Sequence, residues 1–136
     1  MELTAATTGT AGVLLLAVAF IEYGGTFLLG VVSGKGSFTP FQKSFFRAGH
    51  AHAGVLVILS LVTLLYADSL DLSGLSRFGA RSAIPLAAIL MPAGFFFSAM
   101  GKGAERPNRL LALVYLGAIS LAIGVITLGL GLLSAG

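Results

Sequence analysis

Apolar residues run along this chain in four long blocks, roughly Thr10–Val32, Pro40–Tyr66, Ser82–Met100 and Leu110–Leu133. Each block is long enough to cross a bilayer core of about 30 Å at about 1.5 Å rise per helical residue. The breaks between them, Ser33–Thr39, Ala67–Arg81 and Gly101–Arg109, are short, so helices that follow one another pack antiparallel. The pattern predicts an all-α integral membrane protein: a single domain, residues 1–136, of four transmembrane helices in an up-down bundle.

Composition agrees. With 57% hydrophobic and 10% charged residues, and a mean hydropathy of +1.00, the chain cannot make a water-facing surface of ordinary polarity, so its solvent is the lipid bilayer. No cysteine is present, which removes disulfides and thiolate metal sites. Met1–Gly9 carries no lysine or arginine, and the apolar run after it exceeds a signal-peptide core, so it reads as a retained helix. In a soluble protein the net charge of +3 would raise the question of nucleic acid; here the basic residues sit at helix ends and report topology instead. Lys35, Lys43 and Arg47 flank the first connection and Lys102, Arg106 and Arg109 the third, against Arg77 and Arg81 in the second. The positive-inside rule then places both termini outside and the first and third connections on the cytoplasmic side of a cell membrane.

Against that apolar background the candidate chemistry is confined to a few ionisable positions, Glu22 in the first helix and Arg47, His50 and His52 in the second. Thr39-Pro40-Phe41-Gln42 has the form of a capping box with proline at the first helical position, which starts the second helix at Pro40. His50 is then about 15 Å along its helix, and Glu22 is about 15 Å from the same end of its antiparallel neighbour, so the two meet at one depth. At about 100° per residue His50 and His52 point some 200° apart and serve opposite faces. Gly54 lies one turn from His50 and Gly49 one turn from His52, and each leaves room for a flat ligand or a neighbouring helix. Glu22 can be a protonated carboxyl bonded to Thr26, a proton carrier, a partner orienting a histidine ligand, or half of an ion pair with Arg47 or His50.

The segment Gly49-His50-Ala51-His52-Ala53-Gly54-Val55-Leu56 resembles the His-x-His helix of subunit I of the haem–copper oxidases over these eight residues. The resemblance implies axial haem ligation by His50 and by His52 on opposite helix faces. That family's catalytic subunit brings further histidines for copper, and this chain has only two, so a complete oxidase site within one chain is excluded. The expectation is a binding module for haem or a transition metal, its further ligand coming from Met91, from another protomer or from no protein group, with Glu22 completing a metal set with the histidines.

Two other functions fit the same residues. A proton-coupled transporter working through Glu22 is similar in size and plan to the small multidrug exporters, whose first helix also bears an embedded glutamate. A structural or accessory subunit would use these groups only to specify helix pairing. Nothing indicates an enzyme acting alone: the chain has no G-x-S-x-G, P-loop or H-E-x-x-H motif, and Asp68 and Asp71 read as a solvated turn. Pro92 predicts a kink in the third helix. Gly117, Gly124 and Gly131, seven apart, form a small-residue seam that can close the bundle or join copies in a homo-oligomer.

Overall fold

A computed structural model describes residues 3–136. It contains α1 (Ala5–Val32), α2 (Pro40–Asp68), α3 (Gly74–Ser98) and α4 (Ala112–Ala135), with a single 3-10 turn, Arg109–Leu111, leading into α4. The architecture is the expected up-down bundle, and all four helices are long and apolar enough to cross a membrane.

The first two helices start at side-chain caps, whereas α3 and α4 have none. α1 begins before its apolar block because the Thr4 hydroxyl accepts the Thr7 N–H and so satisfies an otherwise free helix donor. The capping box of α2 is complete: the Thr39 hydroxyl accepts the Gln42 N–H at 3.1 Å, and Gln42 Oε1 accepts the Thr39 N–H at 3.1 Å. α3 begins at Gly74 and not near Ser82. Leu75 and Phe78 are exposed in the first turns of α3, whereas Leu70 and Leu72, in the connection before it, pack on Ala67, Ala80 and Leu128. The polar residues Ser76, Arg77 and Arg81 interrupt apolarity there without interrupting the helix.

α3 is the central helix, packed against both α2 and α4, while α1 leans on α2. It continues unbroken through Pro85 and Pro92. The glycine seam of α4 is taken up within the chain: a Cβ at Gly117 would meet Met91, one at Gly124 would meet Ile84, and one at Gly131 would meet Leu70. The seam is therefore not free to join copies through α4, because the small residues let α3 approach closely first. Leu14, Leu56, Val57, Leu64, Ala88 and Met91 form the central core. An aromatic cluster closes one end, where Phe46 stacks on Phe96 at 5.5 Å and Phe45 meets Phe95 edge-on at 5.5 Å. Phe97, the third of that run, is 44% exposed and faces outward. α1 contributes little, burying only Thr7, Leu14 and Val31.

Gln42 ties the aromatic end to the third connection. Its amide donates to the Ala99 carbonyl at 3.0 Å and to the Gly101 carbonyl at 2.8 Å, and the side chain is buried. Gln42→Met keeps the shape and removes those bonds, so it should cost about 1–3 kcal/mol in reversible unfolding in mixed micelles. A cost near zero would mean that water replaces the amide there.

Candidate functional site

His50 is half-buried between α1 and α2. Its imidazole lies over the backbone of α1 at Gly24 and Gly25, where a Cβ would stand 3.8 Å from Nδ1 and 3.4 Å from Nε2 respectively. The paired glycines are what allow a ring to sit between α1 and α2 at this level. Among the described residues no protein group hydrogen-bonds either ring nitrogen, in contrast to His52. Beside the ring is an apolar groove of about 300 Å³, bounded by α1 (Ala17, Phe20), α2 (Ala53, Val57) and α3 (Ile89, Phe96). The space at Gly54 is open, with nothing within 4 Å of where its Cβ would be. The predicted depth match holds, since Gly24 and Gly25 follow Glu22 by less than one turn.

His52 points to the other side of α2, as the helical angle requires. Its Nδ1 is 2.8 Å from the Ala48 carbonyl, and its ring centroid is 4.9 Å from that of Phe95. A carbonyl only accepts, so Nδ1 is the donor in this contact. Of the two occupants expected beside His52, the structure has the neighbouring helix: a Cβ on Gly49 would collide with Phe96 of α3 at 2.8 Å, so phenylalanine occupies what a flat ligand would need. Met91 is buried against Gly117 at the α3–α4 contact, where its side chain fills the gap left by the glycine.

Glu22 and Arg47 are both exposed on the bundle surface, and neither takes part in an ion pair among the described residues. Thr26 does not bond to Glu22; its hydroxyl donates to the Tyr23 carbonyl at 2.7 Å. The metal set of His50, His52 and Glu22 is not assembled, and among the described residues no three histidine or carboxylate side chains come together to hold a metal ion. The reason is angular: two histidines two residues apart on one helix cannot reach a common ion.

The most connected polar cluster was misread from the sequence. Asp68 is not in a solvated turn but ends α2, with its side chain fully enclosed and 2.6 Å from the Arg81 guanidinium. The carboxylate also accepts the Thr4 backbone N–H at 2.9 Å and the Thr4 hydroxyl at 3.3 Å, and Arg81 donates to the hydroxyls of Thr4 and Thr7. A carboxylate at the first N–H groups of α1 is favoured by that helix's dipole. The cluster pins the start of α1 to the end of α2 and to α3, and so holds in place a helix that buries little. One available clue was that Asp68 and Arg81 bracket the second connection, but their pairing with Thr4 needs the tertiary fold.

The arrangement leaves one imidazole, with no hydrogen-bond partner among the described residues, beside an apolar groove, and it places a carboxyl and a guanidinium on the surface about 8 Å apart in depth. Comparison of the chain with protein-family models, with curated proteins and with solved structures gives no significant match.

Proposed function

We propose that this is a membrane protein that binds haem in the groove between α1 and α2, with His50 as axial ligand. What supports the reading is the state of His50: a ring nitrogen without a protein partner, beside an apolar groove at glycine-lined backbone. The groove volume is at the low end of the ~300–1,000 Å³ usual for small-molecule sites. It suits the edge and one face of a porphyrin, with the remainder toward lipid or a second protein surface. Gly54 leaves open space one turn from the ring, and Phe20 and Phe96 supply aromatic walls. His52, engaged with Ala48 and Phe95, steadies α2 against α3 in this reading. The protein sits in the cell membrane with both termini outside and its first and third connections cytoplasmic, as the distribution of lysine and arginine indicates.

The absorbance spectrum from 350 to 650 nm of protein purified from haem-replete cells tests this. A Soret band is expected in the native protein and in His52→Ala, and its loss or displacement in His50→Ala. A colourless native protein would reject the proposal. One observation favours a second reading, proton-coupled transport: Glu22 is exposed near the level of His50. Proton release on substrate addition that disappears in Glu22→Gln would support it.

A further inference from the structure

Glu22 and Arg47 are a carboxyl and a guanidinium that form no ion pair among the described residues and lie on one flank of the molecule. Phe20 and Gly24 line the groove on the α3 side of α1, and Glu22, two residues from each, lies about 200° around the helix from them. Gly49 faces α3, and Arg47, two residues away, is likewise about 200° around α2 from that side. Both charges therefore project from the side of the α1–α2 pair turned away from α3. With Gly24 and Gly25 level with His50, Arg47 and Glu22 lie about 8 Å apart in depth, within the combined reach of the two side chains. Exposed Val18 and Leu29 continue this flank along α1, and exposed Ile58 continues it along α2.

We propose that this flank is the interface of a two-fold homodimer in which Glu22 of each copy pairs with Arg47 of the other. Three observations favour a second copy as the occupant. The opposite charges complement each other under two-fold rotation, so one contact forms two pairs. A carboxyl left facing lipid at that depth is costly, and pairing relieves the cost. α1, which buries only three of its residues within the chain, has the surface to spare. The inference does not depend on haem, and the spectrum above can fail without affecting it.

The test uses the full chain in liposomes, labelled at a single cysteine replacing exposed Lys102, which is clean because the chain has none of its own. Energy transfer between labelled copies is followed as lipid dilutes them. The native protein is expected to associate, and E22Q and R47Q each to associate about tenfold or more weakly. An equimolar mixture of E22Q with R47Q regains one intact Glu22–Arg47 pair per mixed dimer and should associate more tightly than either variant alone. A second measurement leaves the charges untouched: V18C copies mixed with I58C copies should cross-link through a short thiol reagent. Val18 and Ile58 lie within about 3 Å of one depth when Gly24 and Gly25 face His50. A native protein that stays monomeric at every dilution would overturn the proposal. So would a mixture no tighter than its components, the result expected if Arg47 only reaches the headgroups or pairs within its own chain, and so would absence of the mixed cross-link.

Discussion

Arg81→Ala should lower the stability of the bundle by about 1–3 kcal/mol, because it leaves the Asp68 carboxylate without its counter-charge. The Arg81 side chain is itself only 16% exposed, so water cannot simply replace it. Thr4 and Thr7 lose a donor at the same time, and the beginning of α1 should loosen. Reversible unfolding in mixed micelles gives the size of the loss, and protease cleavage near Thr10 in the folded state reports the loosening. Removing both partners, as Arg81→Ala with Asp68→Ala, should cost less than Arg81→Ala alone, since no buried charge is then stranded. Arg81→Lys keeps the charge but not the fork that serves Asp68 and both hydroxyls, and should fall between native and alanine. A loss below about 1 kcal/mol for Arg81→Ala would show that the cluster behaves as an exposed ion pair.

Gly94→Ala should also be strongly destabilising, by about 1–3 kcal/mol, although alanine is the better helix former. Its new methyl would stand 2.6 Å from the Val114 backbone nitrogen and 3.1 Å from the Leu113 carbonyl carbon. Neither can swing aside as a side chain can, so α3 and α4 must separate along their contact. Gly129 supplies the control on α4, since nothing lies within 4 Å of where its Cβ would be. Gly129→Ala should be neutral or stabilising by up to about 1 kcal/mol. Equal effects at the two positions, measured by the same unfolding titration, would mean that α3 and α4 do not meet at Gly94.

These two predictions concern features that differ in how far the sequence discloses them. Small residues on α4 at intervals of seven mark a close helix approach, and the seam is there. Nothing in their spacing says whether α3 or a second copy lies against it. The choice follows from the short third connection, which brings α3 alongside, and from Gly94 facing Leu113 and Val114 across the contact. Glu22 and His50 could be set at one depth from the capping box and the fixed rise per residue. That the ring rests on Gly24 and Gly25 could not be read, although a glycine pair in an apolar helix beside a glutamate was a usable clue.

The sequence by itself determined four apolar helices, their antiparallel order, the start of α2 and the opposite facing of His50 and His52. All of these follow from local periodicity, capping chemistry and connection length. Only the tertiary structure decided which side of each helix meets which neighbour, because rotation about a helix axis is set by packing among residues far apart in the chain. Thr4 meets Asp68 across 64 positions and Arg81 across 77. The same rotations closed the space beside His52 with phenylalanine, left the space beside His50 open, and turned Glu22 and Arg47 outward.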